Sequence, residues 1–374
     1  MQLATRVPYV DIAGAHAPLR EQLLEAVGRV IDSGNFILGE DVAEFERRFA
    51  PLCGTQFAIG LNSGTDALVL GLRALDVADG DEVITAPNSF VASASAIALC
   101  GARPVFADAG DDYNIDPACV ERAITPRTKA ILPVHLTGNP ANMTEICAIA
   151  EKHGLSVVED CAQAVLAEHR GKRVGSFGRV GAFSLHPLKT LNACGDGGVL
   201  VTDDEECANR LRILRNIGLR SREDCAEWSG NSRLDSMQAA MLLVKLSYLD
   251  EWTAARRANA RCYRERLAGC PGIALPIERD DDVAVYHTFV IQADERDALR
   301  AYLDECGIGT QVHYPTPIHL TAAAASLGYR RGDFPVAERQ AARIVSLPVH
   351  HLINPEQIAY VCESIRGFYA RGIV

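Results

Sequence analysis

What the chain lacks narrows its class before any motif is read. There is no excess of positive charge: 37 Lys and Arg stand against 48 Asp and Glu in 374 residues, a formal charge of -11 spread without long runs. That excludes the basic stripe with which proteins hold nucleic acid or anionic lipid, and it leaves an acidic surface that favours solubility. No apolar stretch is long enough to span a bilayer without a charged or helix-breaking interruption. The opening Met1-Gln2-Leu3-Ala4-Thr5-Arg6-Val7-Pro8 lacks a charged segment followed by an apolar core, so no secretory signal is read and the expected location is the cytoplasm. Cysteines number 12, yet none forms a CxxC pair with a matching second pair. They read as reduced, mostly buried small hydrophobes, and no metal site is expected. Internal repeats and low-complexity tracts are absent. A dinucleotide fingerprint is missing as well: Gly195-Asp196-Gly197-Gly198 lacks the GxGxxG spacing and precedes a strand pattern instead of opening a helix. This argues against a nucleotide-sugar oxidoreductase.

What is present is alternation. Helical spacing of Leu19, Leu23, Leu24, Val27, Val30 and Ile31 predicts a first helix, and Val42, Phe45 and Phe49 a second. Short β-rich runs follow at 57–61, 82–85, 103–107, 130–134, 156–159, 182–185 and 198–201, separated by helical stretches. Such a pattern predicts an α/β fold, a mostly parallel sheet wrapped by helices in three layers. One long helix is expected from Leu234 to Trp252, continuing helical to Leu267. Beyond it, strand patterns at 285–291 and 310–314 flank a helix from Asp294 to Cys306, which reads as a small α+β domain. The expected division is a large domain over 1–250, whose N-terminal helices are free to pack on the small one, and a small domain over 251–374.

Ligands of parallel sheets gather at the carboxyl ends of the strands. Ser63-Gly64-Thr65, Asn88-Ser89-Phe90, the His135 to Gly138 stretch and Asp160 fall there. Ser63-Gly64-Thr65 opens a helix, where free N–H groups, two hydroxyls and the positive end of the dipole suit a phosphate. A plain N-cap without ligand fits the same residues. Asp160 ends the strand Val157-Val158-Glu159 and is expected to be buried, which calls for a partner: a structural arginine or a protonated pyridine nitrogen. Lys189 follows the apolar Phe183, Leu185 and Leu188 and precedes the glycine-rich turn at 195–198. Desolvation there would lower its pKa and make the amine nucleophilic, although a surface lysine on a loop has the same local sequence. A lysine Schiff base opposite an acidic partner of a pyridinium is the arrangement that pyridoxal phosphate, PLP, requires.

The motifs Ser63-Gly64-Thr65-Asp66-Ala67-Leu68, Pro87-Asn88-Ser89-Phe90-Val91-Ala92, Glu159-Asp160-Cys161-Ala162-Gln163-Ala164 and Phe183 to Lys189 occur in that order. With His313-Tyr314-Pro315-Thr316-Pro317-Ile318-His319, Gly332-Asp333-Phe334-Pro335 and Ser346-Leu347-Pro348, they make nearly the whole chain resemble the DegT/DnrJ/EryC1/StrS family. These are PLP-dependent sugar aminotransferases of fold type I. The resemblance implies Lys189 as the residue that carries the cofactor and later shuttles the proton, and Asp160 as the partner of the pyridinium. It implies Gln163 near the ring hydroxyl, Phe90 stacked on the ring, and Gly64, Thr65 and Ser184 on the phosphate. Asn231, in Gly230-Asn231-Ser232-Arg233, matches a segment that reaches the neighbouring subunit's cofactor, which implies a homodimer with shared sites; a helix N-cap is the other reading. Val165 departs from the histidine that many relatives carry two places after the glutamine. A subset of the family has histidine in place of the lysine and dehydrates its substrate, but here Lys189 is intact. By the resemblance, L-glutamate donates the amine and a nucleotide-linked (dTDP, UDP or GDP) 3- or 4-keto-hexose accepts it. Cyclitol ketones and keto-sugar phosphates are alternative acceptors, and a non-catalytic PLP-binding regulator is a rival class. His135, His313, Tyr314 and His319 are candidates for the sugar pocket or for satisfied loop residues.

Overall fold

A computed structural model describes residues 6–371; Met1 to Thr5, the first part of the stretch read for a signal, lie outside the described residues. Helices α1 (Arg20–Ser33) and α2 (Glu40–Leu52) precede the sheet. Then β1 (Phe57–Leu61), α3 (Gly64–Ala74), β2 (Glu82–Thr85), α4 (Ala92–Leu99), β3 (Arg103–Phe106), α5 (Pro117–Ala123), β4 (Thr128–Leu132), α6 (Met143–His153), β5 (Ser156–Asp160), β6 (Val180–Ser184), β7 (Gly198–Thr202) and α7 (Glu205–Leu214) follow. Among the described residues no helix is long and apolar enough to cross a membrane.

The seven strands form one sheet in the order β1-β7-β6-β5-β4-β2-β3. Only β7 runs against its neighbours: β1 and β6 pair with it antiparallel, and the remaining pairings are parallel. The strands are apolar almost throughout because helices cover both faces. Alternation divides them cleanly: Leu200 packs under α3 and α7 with Leu68, Leu72 and Leu211, while its neighbours Val199 and Val201 face Phe45, Phe49 and Phe183. The three-layer α/β expectation therefore holds, and the loops at one end of the parallel strands carry the candidate residues.

Where a single helix was expected after Leu234, the chain forms α8 (Ser236–Leu246) and α9 (Leu249–Leu267). The last turn of α8 tightens, with Ser247 N bonded to Val244 O and Tyr248 N to Lys245 O, and α9 leaves with the Tyr248 ring stacked 5.9 Å from Trp252. α9 leads to a second, three-stranded antiparallel sheet of β8 (Ile273–Ala274), β9 (Phe289–Ala293) and β10 (Ile344–Leu347), joined by α10 (Arg296–Glu305), α11 (Pro335–Arg343) and α12 (Pro355–Ala370). Its core of Tyr263, Phe289, Leu299, Val345 and Phe368 also takes in Val7, whose backbone bonds Gly307 and Gly309. α1 packs instead on α8, through Ala26, Val30 and Ala240. Two strand expectations shift. Residues 285–288 bond to a loop of the large sheet, Val285 N to Gly138 O and Thr288 N to Thr137 O. Residues 310–314 make only a bridge from Gln311 to Ser346, because they run along the cleft between the two sheets and not in a ladder.

Candidate active site

The loop after β6 turns back on itself: Leu185 N bonds Gly197 O, Ala193 N bonds Leu185 O, and Lys189 N bonds His186 O. Asn192 donates its side-chain amide to the Lys189 carbonyl at 3.0 Å. Lys245 of α8, 1% exposed, donates in turn to the Asn192 carbonyl and to its Oδ1 at 2.8 and 2.9 Å. Lys189 is thereby held half-buried, and burial pulls its amine down to about 8 against the opposing attraction of Asp160.

Asp160 closes β5 at 5% exposure. Its oxygens accept from Ser93 Oγ at 3.0 Å and Ala162 N at 3.1 Å. Burial nevertheless raises its pKa above the ordinary carboxylate value, outweighing those donors and Lys189. Gln163 accepts from Thr137 N at 2.7 Å and reaches the Tyr314 hydroxyl at 3.4 Å. The Phe90 ring lies exposed, 5.5 Å from that of Tyr314.

At the start of α3 Ser63 accepts from Asp66 N at 3.1 Å, so the capping reading is correct for its side chain. Gly64 sits directly on Ser184: a Cβ added to it would lie 2.6 Å from the Ser184 Cβ. The helix start and the Ser184 hydroxyl therefore face one small space, with half-buried Thr65 beside it. Val165 packs into the core with Phe49 and Phe183 and lines the narrow void next to Lys189.

The four pocket candidates separate. His313 comes to the cleft, and Tyr314 lines a small void beside it. His135 does not: it is fully buried, with Nε2 on Glu159 at 3.1 Å and Nδ1 accepting from Ala141 N at 3.0 Å. Strand alternation is the reason, since Glu159 must face away from Asp160 and His135 goes with it. His319 also lies elsewhere, bonded to Glu338 and packed 4.7 Å from Phe334 in a satellite core. His135, Glu159 and Cys161 have the spacing of a metal site, but Glu159 already accepts from Gly175, Phe177 and Gly178 N–H groups. Asn231 is exposed, with its Oδ1 on Arg233 Nε at 2.9 Å; it is not an N-cap, because α8 starts after Asp235. Ser93, Lys245, Tyr9, Arg256, His287 and His350 surround the same region and carry no local sequence signal.

PLP makes three demands at once: a phosphate cradle, a lysine able to lose its proton, and a carboxylate in want of a cation. One end of this sheet meets all three, with Gly64 against Ser184, Lys189 drawn down toward neutrality, and Asp160 buried and raised. The fold and the site together define a PLP-dependent enzyme of fold type I.

Comparison with known proteins narrows the class. The chain belongs to the DegT/DnrJ/EryC1/StrS aminotransferase family, whose model matches residues 18–366. It is a PLP-dependent aminotransferase, and solved structural neighbours hold the cofactor as PLP or PMP. It is 45% identical over 367 residues to the dTDP-3-amino-3,4,6-trideoxy-alpha-D-glucose transaminase of Streptomyces venezuelae, covering 98% of this chain and 97% of that protein. It is 44% identical to a UDP-N-acetyl-3-dehydro-alpha-D-glucosamine 3-aminotransferase of Acidithiobacillus ferrooxidans, over 97% and 98% of the two chains. The crystal structure of S. venezuelae DesV with a ketimine intermediate superposes with a TM-score of 0.95, covering 97% of this chain and 98% of that one at 45% identity.

Proposed function

We propose that the chain moves the amino group of L-glutamate to the 3- or 4-keto carbon of a nucleotide-linked hexose, in the cytoplasm, for amino-sugar biosynthesis. The observation that carries this reading is the Lys189 amine, lowered to about 8 beside the buried carboxylate of Asp160. The names of the relatives, which act on dTDP- and UDP-linked sugars, support the acceptor class.

In this reading PLP, when bound, supplies the electron sink that makes the donor's α-proton removable. Lys189 Nζ would hold the cofactor and, as a free amine, would carry that proton as general base and then general acid. Asp160, oriented by Ser93 and the Ala162 N–H, would hold the proton on the ring nitrogen. Gly64, Thr65 and Ser184 would bind the phosphate, Phe90 would cover the ring, and Gln163, which reaches Tyr314, would meet the ring hydroxyl. His313 and Tyr314 border the sugar. A second copy completes the site through Asn231; the exposed apolar residues Phe36, Ile37, Leu38 and Trp228, the last 88% exposed, suit burial in such a dimer.

The test is the absorption spectrum of the purified protein with PLP. The Lys189-dependent visible band is expected to disappear on adding L-glutamate, while Lys189→Ala shows neither the band nor turnover on a retained fold. Transamination by Lys189→Ala would sink the mechanism. Nucleotide-linked keto-hexoses, keto-sugar phosphates and cyclitol ketones, offered in parallel, decide the acceptor: preferential turnover of either of the last two overturns the nucleotide-sugar assignment.

A further inference from the structure

Beside Lys189 opens a cleft of 340 Å³ walled by Leu188 and by Tyr9, Arg256, His287, His313 and His350. Arg256 enters it from α9, with 6% of its surface exposed. Its Nη1 makes two long bonds, 3.4 and 3.2 Å, to the Tyr286 and His287 carbonyls, and its Nε is buried without an acceptor. None of the residues that line the cleft is acidic. Asp11, the acid two residues after Tyr9, caps a short helix through Gly14 N at 2.7 Å.

A guanidinium this deep without a counter-ion is unfavourable, since burial withdraws water from the charge and nothing replaces it. Burial draws Arg256 down to about 10, with Tyr9 the one group beside it that opposes the shift. The imidazoles add no charge. Burial lowers His313 to about 4, His287 well below its ordinary value, and His350 likewise downward, so all three are neutral at pH 7. The cleft therefore presents one positive charge, aromatic and imidazole walls, and an unpartnered Nδ1 on both His287 and His350.

We infer that Arg256, with Tyr9, is the subsite for a carboxylate of the amino donor. The inference rests on the aminotransferase reading above and adds a residue that neither motif nor resemblance assigned. One guanidinium balances one carboxylate and matches it with a two-pronged fork of N–H groups. A diphosphate carries more charge than the cleft can neutralise. Leu188, next to Lys189 in the chain, shares a wall with Arg256, and the charge of Lys189 acts on His287 and His313 of the same wall, which sets the cleft beside the lysine that the donor's amine must approach. The same anchor explains how a single lysine can serve two chemically unlike substrates: the donor is held by a charge that the sugar does not need.

The experiment uses the PLP-loaded protein and two variants, Arg256→Met and Arg256→Lys. Rapid-mixing spectra report the concentration of L-glutamate that half-saturates loss of the visible band. The same spectra report the concentration of 2-oxoglutarate that half-saturates conversion of the PMP form back to the PLP form. A third arm measures reaction of the PMP form with a nucleotide-linked keto-sugar. Removal of a partner from a buried charge pair predicts that the L-glutamate and 2-oxoglutarate constants rise about 30- to 5,000-fold in Arg256→Met, with the sugar constant unchanged. Arg256→Lys, which keeps the charge and loses the fork, falls between and decides the matter if the methionine variant does not fold. Constants within twofold of wild type in a folded variant overturn the inference. So does a loss confined to the sugar arm, which would make the cleft a phosphate site. If wild type itself does not respond to L-glutamate, it is the donor reading that fails, and the same comparison of wild type with Arg256→Met and Arg256→Lys, run with L-glutamine, L-aspartate and L-alanine, then judges Arg256.

Discussion

A single methyl group placed on Gly64 is expected to cost both cofactor affinity and stability. Its Cβ would lie 2.6 Å from Ser184 Cβ, 2.9 Å from Oγ and 3.0 Å from Cα. Carbon atoms pack at about 3.5–4.0 Å, so the overlap with the Ser184 Cβ is close to 1 Å. Ser184 cannot swing aside, because its Cα and Cβ are fixed to β6 in the middle of the paired sheet. Relief must come from tilting the first turn of α3 away from the strand. Overpacking of this kind costs about 1–3 kcal/mol in stability. The tilt also withdraws the helix-start N–H groups from the space they share with the Ser184 hydroxyl. A lost hydrogen bond to a charged group is worth about 1.5–3 kcal/mol, or roughly 10- to 150-fold in the dissociation constant of PLP. Titration of cofactor-free Gly64→Ala protein with PLP, followed by absorbance, measures the second effect, and urea unfolding without PLP measures the first. Gly28→Ala is the control: that glycine lies inside α1, and a Cβ added to it would meet nothing within 4 Å, so helix propensity alone predicts about 1 kcal/mol of stabilisation. Gly64→Ala protein with wild-type PLP affinity and wild-type stability would refute the cradle built on Gly64 and Ser184.

Three further outcomes follow from the same geometry. Lys189 must be neutral to attack PLP, so incorporation of PLP into cofactor-free protein should rise about tenfold per pH unit and level off near the depressed value of about 8; a rate still climbing steeply at about pH 10 would show an ordinary lysine. Asp160→Asn removes the charge opposite the ring nitrogen, and the half-reaction with L-glutamate should slow about 10²- to 10³-fold while the visible band of bound PLP persists, which single-turnover spectra would show; an unchanged rate rejects the pairing. Glu159→Ala orphans the Gly175, Phe177 and Gly178 N–H groups and His135 inside the core. Urea unfolding should then show a loss of about 3–5 kcal/mol, and a loss under about 1 kcal/mol would mean that the network is not structural.

Much of the molecule is legible in local pattern. Strand runs at 57–61 and 198–201 announce themselves because a strand buried on both faces must be apolar along its length. Lys189 and Asp160 stand out because each puts a charge where apolar neighbours promise burial. Other features resist such reading. His135 and His319 look like pocket residues in a loop, yet each is consumed by a carboxylate, Glu159 or Glu338, that only the folded chain brings near. The single helix expected through Leu234 to Trp252 breaks at Ser247-Tyr248, residues with no glycine or proline to mark a stop.

The sequence by itself determined the class of fold, the order of its elements and the amine and carboxylate on which the proposed chemistry turns, since these depend on periodicity and on residue type over a few neighbours. Tertiary structure decided the surroundings. Ser93 meets Asp160 across 67 residues, and Gly64 meets Ser184 across a sheet. Arg256 and Arg257 are alike in sequence, yet one is buried in the cleft and the other half-exposed, because successive residues of α9 point about 100° apart. Which of two identical side chains loses its water, and hence which one needs an anion, is a property of packing and not of composition.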